Sequence, residues 1–172
     1  MIQSETYLIH RGLYWKQLFR YPLKVSTKVD IPMTPRENVT EAMKWANLQI
    51  VQSTTGWTNQ CQRFSRTVWG MPAFAPSAIK AWGVVAKRYK VEGPLADAPR
   101  GAILIFAMGQ YGHACIASTR GKCISTDYVR RDMVNQAPRS LPNWNGKGTY
   151  LGYLIGAQFY DLNGGFFVGV GE

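Results

Sequence analysis

At Gly101 the apolar residues of this chain change period, and that change leaves few architectures open. Ahead of it they recur at helical spacing: Val39, Ala42, Met43, Ala46 and Ile50 fall on one helical face. Behind it, Ala102–Met108 is a continuous apolar run, as a buried strand is. His113–Thr119 and Cys123–Tyr128 then flank Arg120-Gly121-Lys122, which reads as hairpin punctuation. Residues 149–160, rich in Tyr, Leu, Ile and Phe, predict a further strand. Helices first and strands after predict an α+β fold. With 172 residues and 46% hydrophobic composition, the chain is long enough for one domain with a core of its own.

The helical half carries its own punctuation. Thr34-Pro35-Arg36-Glu37 is a capping box with proline at the first helical position, so a helix is expected over about 35–52. Ser53–Trp57 reads as a polar loop. A second helix is expected from Asn59, capped by it, with Gln62 reaching back; Gly70 stops it and Pro72 prevents resumption. A short third helix around Ser77–Trp82 is expected to end at Gly83. Residues 1–33 read as an N-terminal extension, in which Leu23, Val25, Thr27, Val29 and Ile31 alternate with polar residues between Pro22 and Pro32, the period of a strand. The expected division is the extension 1–33, a domain over 34–164, and a glycine-rich tail over 165–172.

Charge and cysteine usage narrow the function classes. A net charge of +10 implies an anionic partner, and nucleic acid, a membrane surface or an anionic cell wall all fit. Cys61, Cys115 and Cys123 are too few for a disulfide framework, and no CxxC pair suggests a zinc ribbon. Residues 1–30 hold seven charged residues and no sustained apolar run, so no signal peptide is expected and synthesis is expected in the cytoplasm. No stretch is apolar for long enough to predict membrane insertion.

Cys61 and His113 carry the chemistry. Cys61 falls in the first turn of the second expected helix, where backbone N–H groups and the helix dipole favour a thiolate, so a lowered thiol pKa is expected. The same N–H groups, with the Gln60 amide, are placed to stabilise an oxyanion. An isolated cysteine at such a position is more often a small buried hydrophobe, here packing with Phe64 and Val68. His113 follows Gly112 and opens a strand of small residues; the only other histidine, His10, lies in the extension. His113 is therefore the better candidate for a general base. The hairpin leaves its third partner open: a two-residue loop pairs His113 with Tyr128, and a three-residue loop, Thr119-Arg120-Gly121, pairs it with Asp127. In the second register Asp127 can orient the imidazole.

Asn59-Gln60-Cys61 resembles the "GQC" segment of CHAP domains, the cysteine- and histidine-dependent amidohydrolases and peptidases. Tyr111-Gly112-His113-Ala114-Cys115-Ile116 is similar to their "GHV-I" strand, and Ile124-Ser125-Thr126-Asp127 to the strand carrying their third residue, usually Glu, Asp or Asn. Trp69-Gly70-Met71-Pro72, Pro76-Ser77-Ala78-Ile79 with Trp82, Leu151-Gly152-Tyr153 and Asp161-Leu162-Asn163-Gly164 resemble the variant found in lysins of phages that infect actinobacteria. The resemblance covers roughly residues 38–164. It departs at Arg100-Gly101-Ala102, where the family commonly has Gly-Asp, and at Asn59, where the motif leads with glycine.

This resemblance implies a papain-like (CHAP/NlpC-type) fold, with N-terminal helices packed on a central antiparallel β-sheet. It also implies a Cys61-His113-Asp127 hydrolase that cleaves an amide in Gram-positive, most closely actinobacterial, peptidoglycan. Family members include N-acetylmuramoyl-L-alanine amidases and peptide-bridge endopeptidases, and no cofactor or metal is expected. Trp57, Trp82 and Trp144 are candidates to line a substrate groove. Anionic wall polymers become possible partners, as do phage tail proteins through residues 1–33. Such an enzyme acts on the wall after holin release or as part of a virion. Two rivals remain: a structural or docking component of a virion or tail, and a basic nucleic-acid-binding module resting on Tyr14-Trp15-Lys16 and Phe19-Arg20-Tyr21.

Overall fold

Asn38 opens the first helix of the computed structural model, which describes residues 38–119, 121–127, 130–140 and 148–155. Its backbone is extended and its side-chain oxygen accepts from the Glu41 N–H at 3.0 Å, starting α1 (Val39–Val51). The capping box at Thr34, the alternating segment of residues 23–31 and the glycine-rich tail lie outside the described residues. Ala42, Met43 and Ala46 are buried, as the helical spacing requires.

α2 (Cys61–Val68) begins one residue later than a helix capped by Asn59 would. Asn59 does not cap it: its backbone is left-handed (φ 56°), and Gln60 takes the cap position without a side-chain hydrogen bond. Asparagine is among the few residues that enter this conformation at low cost. The end of α2 follows the glycine rule. Gly70, at φ 67°, donates to the Thr67 carbonyl at 2.9 Å, and Met71 donates to the Arg66 carbonyl at 2.9 Å. That pair of bonds is a Schellman motif. α3 (Ala78–Val84) is capped by Ser77, whose hydroxyl accepts from the Lys80 N–H at 3.3 Å, and it runs through Gly83 instead of ending there.

Among the described residues, six strands form one antiparallel sheet: β1 (Lys90–Val91), β2 (Ile103–Met108), β3 (His113–Ala117), β4 (Lys122–Thr126), β5 (Val134–Pro138) and β6 (Gly148–Leu154). Their order is β1-β6-β2-β3-β4-β5. With the helices α1 to α3 this is an α+β arrangement.

The apolar run of β2 is continuous because both faces of the sheet are covered. Ile103 and Ile105 pack toward the helices with Phe64, Val68, Met43 and Ile116. Leu104 and Phe106 pack on the other face with Cys115, Ala117, Cys123 and Ala137. Burial of each of Ile103, Leu104, Ile105 and Phe106 stabilises the fold by about 2 kcal/mol. Arg139 closes the second face; its guanidinium donates to the carbonyls of Leu95, Ala96 and Ala98. Among the described residues, no helix is long and apolar enough to cross a membrane.

Candidate active site

Two local features bring Cys61 and His113 to one cleft. The first is the short loop before α2, which sets Cys61 as the first helical residue. The second is the turn from β2 into β3, closed by the Gly112 N–H on the Met108 carbonyl at 2.9 Å. His113 follows at once and pairs with Phe106. The turn also holds α3, because the Ile79 N–H donates to the Tyr111 carbonyl at 3.1 Å. The resulting cleft holds about 590 Å³, and its walls include Gln60, Cys61, Arg63, Tyr111, His113 and Asp127.

The β3–β4 register resolves the hairpin alternatives. Ile116 pairs with Ile124 and Ala117 with Cys123. Ser118 donates to the Lys122 carbonyl and Lys122 to the Thr119 carbonyl, both at 2.9 Å, so the connection is the three-residue one. Continued along the strands, this register sets Asp127 level with His113.

Asp127 does not, however, hold the imidazole. Its backbone is left-handed (φ 62°), and both carboxylate oxygens are engaged elsewhere. Oδ2 accepts from the Asn59 N–H at 2.8 Å and Oδ1 from the Asp132 N–H at 2.7 Å. Asp132 repeats the pattern next door, its Oδ1 accepting from the Thr58 N–H at 3.0 Å and the Thr58 hydroxyl at 2.9 Å. Backbone donation from Gly56, then the Thr58 hydroxyl and N–H, holds the Asp132 carboxyl below the usual carboxylate range. Together the two aspartates tie the segment before Cys61 to the β4–β5 connection. The imidazole meets Ser125 instead, with His113 Nε2 2.7 Å from its hydroxyl.

Burial sets the charge state of the site. Desolvation pushes the His113 pKa down to about 4, against a smaller opposing pull from the Asp127 charge. Desolvation raises the Cys61 thiol as well, and Asp127 adds to this. Backbone hydrogen bonds from Ala114, Gln62 and Cys61 itself act the other way, as expected of a helix N-terminus, but burial outweighs them. The lowered thiol pKa expected from the helix start is thus replaced by a raised one. At neutral pH the site holds a thiol and a neutral imidazole.

The tryptophans are placed differently from expectation. Trp57 is buried in the core, edge-on to Phe64 at 5.2 Å, with its indole N–H on the Thr54 hydroxyl. Trp82 packs against the same core beneath the Lys90 ammonium. Neither lines the cleft, and Trp144 lies outside the described residues. The wall that sequence reasoning missed is the β2–β3 turn, which contributes Met108, Gln110 and the exposed Tyr111. Cys115 and Cys123 are buried free thiols, and burial, with Cys123 beside it, pushes the Cys115 thiol well above its usual range. Among the described residues, no group of three or more His, Cys, Asp or Glu side chains converges as a metal site would require.

No protein-family model, curated protein or solved structure matches the chain.

Proposed function

We propose that this protein is a peptidoglycan hydrolase that cleaves an amide bond through an acyl-enzyme on Cys61, with His113 as general base and then general acid. The observation that carries this reading is that one open cleft contains both the cysteine at a helix N-terminus and the histidine opening the central hairpin. The antiparallel sheet with helices on one face suits a papain-like fold of the CHAP type, which the motifs around Cys61, His113 and Asp127 resemble.

The chemistry starts from the neutral pair. The thiol proton moves to the imidazole as sulfur attacks the carbonyl carbon. The tetrahedral oxyanion is met by N–H groups at the start of α2 and by the Gln60 amide. The C–N bond breaks as the imidazolium gives its proton to the leaving amine, which leaves a thioester. Water then loses a proton to the imidazole, attacks the thioester and releases the carboxylic acid and the free thiol. Asp127 keeps the Cys61 loop in place and adds negative charge beside the imidazolium. The net charge of +10 supports a partner rich in anionic polymer, as a Gram-positive wall is.

The test is digestion of purified Gram-positive peptidoglycan by wild type and Cys61→Ser, with mass analysis of the released fragments. Cys61→Ser should lower the rate by about 10³-fold or more. Fragment masses assign the bond: lactyl-linked stem peptides released whole indicate an amidase, and cut stems or bridges an endopeptidase. Equal release by both proteins would remove Cys61 from the mechanism.

A further inference from the structure

We infer that Ser125, and not a carboxylate, is the positioning residue for His113: its hydroxyl accepts the Nε2 proton and leaves Nδ1 as the basic nitrogen of the site. This rests on the reading of His113 as the base. Three observations carry it.

The first is the contact itself. Nε2 lies 2.7 Å from the Ser125 hydroxyl, and both side chains are buried. The two sit diagonally across the hairpin, since the β3–β4 register sets Ser125 level with Cys115, two residues beyond His113. The second is the direction of the hydrogen bond. A serine hydroxyl has a single proton, and the Thr126 carbonyl, 3.3 Å from this oxygen, offers that proton an acceptor away from the ring. With the hydroxyl proton turned to that carbonyl, the oxygen accepts from the imidazole, which puts the ring proton on Nε2 and the lone pair on Nδ1. The third is the engagement of Asp127, whose two oxygens accept from the Asn59 and Asp132 backbones. Its oxygens serve the loop that carries Cys61, and the imidazole is left to a neutral partner.

A neutral partner orients the ring without strongly stabilising its protonated form. A carboxylate at the same place does both. The low pKa of His113 is in keeping with the neutral arrangement.

The experiment reads the tautomer directly and needs no substrate. The chain has two histidines, so His10→Gln leaves His113 as the single one. In ¹⁵N-histidine protein at neutral pH, long-range ¹H–¹⁵N correlations distinguish a protonated Nε2 from a protonated Nδ1. We expect one dominant form with the proton on Nε2 in the Ser125 protein, and a mixture of tautomers in Ser125→Ala. Asp127→Asn should keep the wild-type pattern. In hydrolysis, Ser125→Ala should lower kcat about tenfold with KM little changed, and Ser125→Thr, which retains the hydroxyl, should recover most of the loss. A dominant proton on Nδ1 in the unsubstituted site would overturn the inference, and that measurement stands even if Ser125→Ala fails to fold. A pattern unchanged in a folded Ser125→Ala, or lost in an Asp127→Asn that keeps the wild-type fold, would overturn it too. If no wall is cleaved while the tautomer behaves as expected, the hydrolase reading fails and the assignment of Ser125 as the ring's partner stands.

Discussion

Hydrolysis should hold its rate as the pH falls from about 7 to about 5, and then decline with a midpoint near pH 4. The active form carries a neutral imidazole, and burial lowers the His113 pKa to about 4 from an ordinary 6.5. An ordinary surface histidine would place the acid limb more than two pH units higher. Because the thiol is raised from 9.0, the plateau should extend to alkaline pH. A preformed thiolate–imidazolium pair, by contrast, would show thiolate character at neutral pH. Iodoacetamide should accordingly alkylate Cys61 slowly at about pH 7, with the rate still rising above pH 9.

Stability should fall in the same acid window. Between 6.5 and about 4 the unfolded chain binds a proton at His113 that the folded chain refuses. Stability therefore rises with pH across this interval and is lost as the pH drops through it. The full span is worth about 3 kcal/mol. His113→Gln removes the titrating group, so its urea midpoint should lose that part of the pH dependence. A wild-type midpoint flat between about pH 7 and pH 4 would contradict the burial argument.

Placing a methyl group at Gly112 should cost about 3 kcal/mol and most of the activity. Gly112 is left-handed (φ 68°), and a Cβ there would lie 2.7 Å from both Ile79 Cγ1 and the Phe106 carbonyl oxygen. The conformation costs a non-glycine residue about 1–2 kcal/mol, and overpacking adds about 1–3 kcal/mol. The strain falls where β2, α3 and the start of β3 meet, so its relief should shift His113, the next residue, relative to Cys61. Gly109, in the same turn, is the control. It is also left-handed (φ 56°), but a Cβ there meets nothing within 4 Å, so Gly109→Ala should cost only about 1 kcal/mol. Urea unfolding of both variants beside their hydrolysis rates tests this, and equal costs would show that the close approach at Gly112 is not the cause.

What was legible in the sequence followed from local periodicity and punctuation. The apolar run of β2, the small residues of β3 and the glycine stop after α2 act within a few residues, and each appears in the structure close to where it was read. Two strands gave no signal. β1 is two residues long, and β5, Val134–Pro138, lacks alternation and ends in proline, as an edge strand can. The helix starts shifted because Asn59 looks like a cap but adopts φ 56°. That conformation also accounts for asparagine where the resembled motif leads with glycine, since both residue types tolerate it.

The candidate site was legible in its residues and less so in its bonds. Cys61, His113, Gln60 and Asp127 share one cleft, but no local pattern fixes which hydroxyl or carboxylate meets the imidazole. Ser125 lies in β4 and Asp127 just past its end, and only the tertiary position of Asn59 and Asp132 draws the carboxylate away. The sign of the Cys61 shift likewise needs the packed structure, because the helix start is visible in sequence and the desolvation is not.

The most direct test of the account is intact-protein mass spectrometry of the enzyme mixed with soluble peptidoglycan fragments and quenched in acid during turnover. The account predicts an adduct with the mass of the acyl fragment, mapped to the peptide containing Cys61 and absent from Cys61→Ser, which should release product at least about 10³-fold more slowly. Turnover with the adduct on another residue, or undiminished turnover by Cys61→Ser, would contradict it.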